Sequence, residues 1–332
     1  MPAASSSVVV LGGGVAGLTT ALELKNKHPN IKVTLVAKFL PGDVAQAEYC
    51  SPQAGANWTS FENEWNRYAW YDQFSFGRFL RIADEFPESG VERFPFRLVH
   101  GEEADRSKKP WFEDLVGGIR PTPREELPPG AAWGMELTTF MFNSRLYLSW
   151  LMQRLLKAKV QIIRRSYSHI DDVISDFPAA TAVFNCTGLG AKTLGGVEDQ
   201  KMYATKGHTL LIGEPKNPIK KMYVWSQPSL FPENEFSHVF PRPLGGGIII
   251  GGVRLDGDQD ETLDAGRTER IKQRACQLCP ELGSPKDLQV ISQNVGLRPS
   301  RSGGGRVESE QRNGIQLIHN YGASGAGYQS SW

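Results

Sequence analysis

Three glycines near the N-terminus, Gly12, Gly14 and Gly17, stand at the spacing that lets a backbone close around a pyrophosphate. Each has a mechanical reason. Gly12 permits a tight turn, Gly14 leaves room for the phosphates, and Gly17 lets a helix lie close against a strand. Val15 and Ala16 fall between them, at the helix start, where N–H groups and the helix dipole favour an anion.

The flanking residues supply the elements this turn needs. Val8-Val9-Val10-Leu11 reads as a strand buried on both faces of a parallel sheet. Val15, Leu18, Ala21, Leu22 and Leu24 recur at helical spacing until His28-Pro29-Asn30 stops the helix. Lys32 to Ala37 reads as a second strand, completing a β-α-β unit. In that setting the glycines point to a bound dinucleotide. The acid that normally takes the ribose hydroxyls about 20 residues on is missing, which counts against NAD. The strand ends Val36-Ala37-Lys38-Phe39, and Lys38 is either an adenosine contact or a solvated lysine.

Other chemistries find little support. Gly322-Ala323-Ser324-Gly325-Ala326 lacks the closing glycine of a hydrolase elbow, and no phosphate-loop lysine motif is present. Cys276 and Cys279 form a Cys-x-x-Cys, readable as a redox pair, half a zinc site, or reduced thiols in a helix. No second Cys or His pair stands at ligand spacing, so no metal is expected.

The 332 residues carry a formal net charge of +1, with 40% hydrophobic and 22% charged residues. That balance gives no field for nucleic acid, and no apolar run approaches the roughly 18 residues of a membrane span. The N-terminal Met-Pro-Ala-Ala-Ser-Ser-Ser lacks the pattern of a signal peptide, so an intracellular protein is expected.

After Pro41 the chain becomes irregular, with Ser51 to Trp58 a small-residue loop suited to close backbone approach. Trp65, Tyr68, Trp70, Tyr71, Phe74, Phe76, Phe79 and Leu80 read as one helix, its aromatics forming either a core face or a stacking surface. Residues 95–140 should be strands and loops of a second domain. A helix from Asn143 to Lys157 and strands at 160–163 and 182–185 return to the first. Strands at 209–212, 223–225, 238–240 and 247–250 leave again, and 317–320 is the last. The expected fold is α/β: a Rossmann-like dinucleotide domain from 1–60, 143–200 and 291–332, with an α+β, mixed or antiparallel-sheet substrate domain from 61–142 and 201–290. A catalytic cleft is expected where they meet.

Six ordered segments sharpen this reading: the glycine turn, Ala54-Gly55-Ala56-Asn57-Trp58, Asn185-Cys186-Thr187-Gly188, Pro241-Arg242-Pro243, Val295-Gly296-Leu297-Arg298-Pro299, and Ile318 through Gln329. Together they make the chain resemble the D-amino-acid oxidase and D-aspartate oxidase family of FAD enzymes, particularly its fungal members. The resemblance implies non-covalent FAD, a D-amino acid and oxygen as small-molecule partners, a homodimer, and a peroxisomal address whose signal would lie beyond Trp332. It assigns Arg298 to the substrate α-carboxylate. It places Gly325, Ala326, Gly327, Tyr328 and Gln329 in a loop and helix start beside the flavin's pyrimidine end, and Gln329 beside the reacting centre. Gln46, Ala54, Gly55, Tyr167 and Thr187 match positions that hold FAD mostly through backbone atoms. The implied reaction is hydride transfer from the substrate Cα–H to flavin N5, followed by hydrolysis to a 2-oxo acid and ammonia, with hydrogen peroxide formed from oxygen.

Three positions depart from the pattern. His238 stands where the family has a tyrosine, as a pocket wall or as a proton carrier. Gln53 replaces a tryptophan of the yeast-type enzymes. Arg254 replaces an aromatic of the neutral-substrate enzymes and resembles D-aspartate oxidases. Arg254 either binds a second substrate carboxylate, giving a preference for D-aspartate or D-glutamate, or pairs internally with Asp256 or Asp258. Related alternatives are a flavin oxidase for glycine-like, secondary or larger amines, and a flavin-binding redox sensor without catalysis.

Overall fold

The computed structural model describes residues 6–44, 46–101, 109–226 and 231–332, leaving the first five residues, and what their sequence implies, outside it. Along the chain come β1 (Ser7–Leu11), α1 (Val15–Lys27) and β2 (Lys32–Ala37), then α2 (Arg67–Glu85), β3 (Val91–His100), β4 (Arg120–Pro121) and β5 (Trp133–Phe142). Next are α3 (Ser144–Lys157), β6 (Gln161–Arg164), α4 (Ile170–Asp176) and β7 (Ala180–Asn185). A run of strands follows: β8 (Met202–Ile212), β9 (Met222–Ser226), β10 (Glu235–Pro241), β11 (Ile248–Val253) and β12 (Leu255–Asp256). Helix α5 (Ala265–Leu278) precedes β13 (Val290–Arg301), β14 (Arg306–Arg312) and β15 (Ile315–Tyr321).

The chain divides into two compact units. The first comprises Met1–Pro52, Arg145–Thr205 and Leu297–Trp332; the second comprises Gln53–Ser144 and Lys206–Gly296. The chain enters the second unit at Gln53, where the sequence reading keeps it in the first to residue 60. The reason is Trp58, whose ring lies 4.8 Å from Phe76 and 5.8 Å from Phe112, all within the second unit.

In the first unit, six strands order as β14-β15-β7-β1-β2-β6 among the described residues. All pairings are parallel except the β14–β15 hairpin. The unbroken apolar run of β1 fits its central place, with Val8 to Leu11 buried. Helix α1 covers the sheet with Val15, Leu18, Ala21 and Leu22. On the other side Ile170 and Val173 of α4 pack with Val9, Val36 and Val183.

Among the described residues the second unit is built on a nine-stranded mixed sheet, with β12-β8-β11-β10-β9-β3-β5-β4 in one path and β13 paired to β8. One core gathers Leu210, Trp225, Val239 and Ile250 beneath Ile271, Ala275 and Leu278 of α5. Helix α2 starts where the Asn66 side chain accepts from the N–H groups of Tyr68 and Ala69. Its aromatics divide: Phe76 and Phe79 are in the core, while Trp70 and Phe74 face solvent. No described helix is long and apolar enough to cross a membrane.

Candidate functional site

Parallel pairing brings several chain turns to one edge of the first unit's sheet. Leu11 is in register with Val36 and with Asn185, and Asn185 with His319. The carboxyl ends of β1, β2, β7 and β15 therefore open side by side, the place where such sheets bind ligands.

The glycine turn occupies this edge, and its shape is dictated by close approach. Gly12 has φ +123°, and a Cβ there would stand 2.3 Å from the Cys186 carbonyl oxygen. A Cβ on Gly17 would lie 2.0 Å from the Gly12 oxygen. Gly14 caps α1 without a side chain, and the first turn holds no acid. The Val15 N–H donates to Ser51 Oγ at 3.1 Å, and the Tyr49 hydroxyl donates to the Gly13 carbonyl at 2.9 Å. Gly13 is also obligatory, since a Cβ would meet the Phe39 oxygen at 2.2 Å. A helix start without acids, whose cap residue has no side chain and whose approach excludes others, fits the pyrophosphate of FAD.

Neighbouring turns are tied to the same edge. Asn185 Oδ1 accepts from both the N–H and the hydroxyl of Thr187, at 3.2 and 2.7 Å. Its amide meets His319 Nδ1 at 3.3 Å, and His319 Nε2 reaches Glu310 at 3.4 Å. An amide donor on Nδ1 puts the ring proton on Nε2. Tyr328 is buried and donates to the Ser51 carbonyl at 2.8 Å, while Gln329 beside it is also buried. Gly325 and Ala326 lie in a short turn, Ser324–Ala326, with Gly327 at its end. Beyond this turn the Ser330 N–H donates to the Ala326 carbonyl at 3.1 Å.

The remaining first-unit residues are engaged as follows. Lys38 is exposed and ion-paired to Glu48 at 2.6 Å. Tyr167 donates to Asp176 at 2.7 Å, so its hydroxyl is occupied. Gln46 is exposed, its carbonyl accepting from Tyr49 N–H. Arg298 lies half-buried on β13, near enough to Cys50 to oppose the rise in thiol pKa that burial causes. All four cysteines are free, and burial pushes Cys276 up to about 11 and Cys279 higher still, unlike a reactive redox pair. No metal-binding cluster occurs among the described residues.

In the second unit, Ala54 and Gly55 are organised by an arginine whose role the sequence reading leaves unassigned. Arg242 donates through Nε to the Gly55 carbonyl at 2.9 Å and through Nη2 to that of Ala54 at 2.7 Å. Ser144 joins the same cluster, accepting from Arg242 at 2.9 Å. A cofactor contact from Ala54 or Gly55 therefore falls to their N–H groups. Gly55 also lies against Phe240, where a Cβ would come within 2.5 Å of the ring. Phe240 begins an aromatic column on β10: His238 stacks on it at 4.7 Å, and Phe236 follows at 5.5 Å. The buried His238 ring lies over Gly251 and Gly252, where added Cβ atoms would meet its Cε1 at 2.6 and 3.0 Å. Arg254 differs from the buried cation that an acidic-substrate pocket requires. Its side chain is 57% exposed and pairs with Asp256 at 3.6 Å. Placed between β11 and β12, it has water to solvate its charge.

With this geometry in place, the profile of the FAD dependent oxidoreductase family known as DAO matches residues 7–332. The chain belongs to that family. Among its DAO relatives, D-amino-acid oxidase of Schizosaccharomyces pombe is 36% identical over 98% of this chain and 92% of its own length. D-aspartate oxidase of Talaromyces thermophilus is 28% identical, covering 98% and 92%. Glycine oxidase from Geobacillus kaustophilus shares the DAO fold with a TM-score of 0.78 at 17% identity, covering 98% of this chain and 92% of that one.

Proposed function

We propose that this chain oxidises D-amino acids to 2-oxo acids and ammonia, using non-covalent FAD and passing electrons to oxygen to give hydrogen peroxide. The observation that carries the reading is the 36% identity, end to end, with an enzyme named D-amino-acid oxidase. When bound, the flavin supplies a hydride acceptor for the substrate Cα–H.

The residue assignments follow from chemistry. Gly12, Gly14, Val15, Ala16 and Gly17 hold the pyrophosphate, with the Ser51 hydroxyl beside them. Thr187, Tyr328 and Gln329, with the N–H groups of Gly325, Ala326 and Gly327, line the remaining sheet edge. Gln46, Ala54, Gly55 and Tyr167 contribute backbone groups. Lys38, held by Glu48, contributes charge near the adenosine end at most through water. Arg298 takes the α-carboxylate, its planar fork meeting both oxygens and staying charged when desolvated. Orientation is then its catalytic contribution, because a fixed carboxylate fixes the direction of Cα–H. His238, at the centre of its aromatic column, is assigned to recognition of the substrate side chain, with no proton transfer required of it.

Arg254 gives little support to an acidic substrate, so the proposal is a range of D-amino acids rather than D-aspartate alone. Self-association as a dimer and a peroxisomal location complete the reading; both rest on resemblance to the family.

A peroxide-coupled assay of the FAD-loaded protein with D-alanine, D-methionine, D-aspartate, glycine and the L-enantiomers tests it. Peroxide from D- but not L-amino acids is expected, with Arg254→Ala leaving the order of D-substrates unchanged. Bound flavin that no D-amino acid reduces would overturn the reading.

A further inference from the structure

Helix α2 carries an outward face of exposed aromatic and charged side chains. Ala69, Asp72, Ser75, Phe76, Phe79 and Ile82 point inward. On the opposite side Arg67, Trp70, Phe74, Gly77, Arg81 and Asp84 recur at helical spacing and are all exposed. Trp70 is 52% and Phe74 39% exposed, their rings stacked 5.8 Å apart. Two further exposed rings, Phe61 and Trp65, lie on the approach to the helix. Large aromatics are costly to leave in water, and a contiguous set of them marks a contact surface.

Gly77 is the second observation. A glycine in a helix interior costs about 1 kcal/mol relative to alanine. Among the described residues no close neighbour requires it, because a Cβ there would meet no atom within 4 Å. The missing side chain leaves an open gap on the exposed face.

The stripe is complementary to itself. Two α2 helices crossing antiparallel about the midpoint between Ser75 and Phe76 would set Arg67 opposite Asp84, Trp70 opposite Arg81, and Phe74 opposite Gly77. These are an ion pair, a cation–π pair, and an aromatic ring seated over the gap that a glycine leaves. Twofold symmetry supplies each pair twice, as an isologous dimer contact requires.

We propose that the exposed face of α2 is a homodimer contact, occupied by the same helix of a second copy. This takes up the self-association proposed above and gives it a surface; it is independent of the substrate. The mixed charges select this partner, since one sequence provides both members of every pair.

Sedimentation of the FAD-loaded protein across a concentration series tests the proposal. The parent protein should run as a dimer. Arg67→Asp and Asp84→Arg should each raise the dimer Kd by about tenfold or more, and the double variant, which exchanges the charges, should return it near the parent value. Gly77→Ala separates contact from folding, for it should raise the melting temperature of the monomer while weakening the dimer. FAD content should stay constant throughout. A dimer indifferent to these changes would reject the surface while leaving self-association intact. A parent protein that is monomeric at every concentration would reject both.

Discussion

Gly17 packs so closely on Gly12 that a Cβ on the first would stand 2.0 Å from the carbonyl oxygen of the second. Helix α1 can lie at this distance from the end of β1 only because Gly17 has no side chain. Gly17→Ala must push the helix away and displace the N–H groups at its start. Overpacking of this kind costs about 1–3 kcal/mol, so FAD affinity should fall by roughly 10- to 100-fold. Titration of the apoprotein with FAD, followed by flavin fluorescence, measures this. Unchanged affinity would remove the glycine turn from the cofactor site.

Arg298 is the proposed carboxylate anchor, and losing it should be severe. Arg298→Ala should lower kcat/KM for D-alanine by about 1,000-fold, as expected for an unpaired desolvated carboxylate. Arg298→Lys should recover only part, because an ammonium lacks the planar fork. FAD content must remain normal for the comparison to count. An alanine variant within about threefold of the parent in kcat/KM would place the carboxylate elsewhere.

The local order of the first unit is legible in sequence because its causes are local. An apolar run, a glycine turn and a helical repeat within thirty or so residues leave few other folds. The parallel sheet edge follows from that unit, and with it the positions of Gly12, Gly17 and Thr187. Ser51 at the start of α1 is invisible by the same logic, since its hydroxyl meets Val15 across 36 positions of chain. Arg242 reaches Ala54 from 188 positions away, although its place between two prolines was a signal of a constrained arginine. Arg254 is half legible for a related reason. Residue type says that it is charged, but only its place between β11 and β12 decides that it is exposed and beside Asp256.

Three histidines should make the fold sensitive to mild acid. Burial pushes His100 down to about 4, where it stacks 4.1 Å from Trp133. Burial, reinforced by Arg267, lowers His208; burial, reinforced by Arg306, lowers His319. Each binds protons more weakly folded than unfolded. Unfolding therefore takes up protons as the pH drops below the ordinary histidine range, and stability rises with pH through that window. The partnered carboxylates Glu136 and Glu235 are held below 4.5 and do not contribute there. Melting temperature should be nearly level above pH 7 and decline between pH 6.5 and 4.5. His100→Phe, which keeps the stacking, should flatten part of that decline. A level profile to pH 4.5 would mean that these rings are charged in the folded protein.

Glu235 is the counter-charge for three arginines. It lies 2.5 Å from Arg274, 2.7 Å from Arg270 and 3.4 Å from Arg267, with its side chain almost entirely buried. Burial by itself would raise its pKa, but Arg270 and Arg274 hold it below 4.5, so its stabilising charge is present at neutral pH and lost on acidification through that lowered value. Arg274 is as buried as its partner and also stacks 4.3 Å over Phe231, so it has no route to water when the charge opposite is removed. Glu235→Gln should destabilise the protein by about 3–5 kcal/mol, the usual result of leaving a buried cation without its anion. Arg274→Met alone leaves Glu235 two other arginines and should cost less. Adding Arg274→Met to Glu235→Gln should recover part of the loss, since the stranded charge is then gone as well. Urea unfolding of the four proteins gives the coupling. Strict additivity of the two substitutions would show that Glu235 and Arg274 act separately, and that Arg267 and Arg270 carry the interaction.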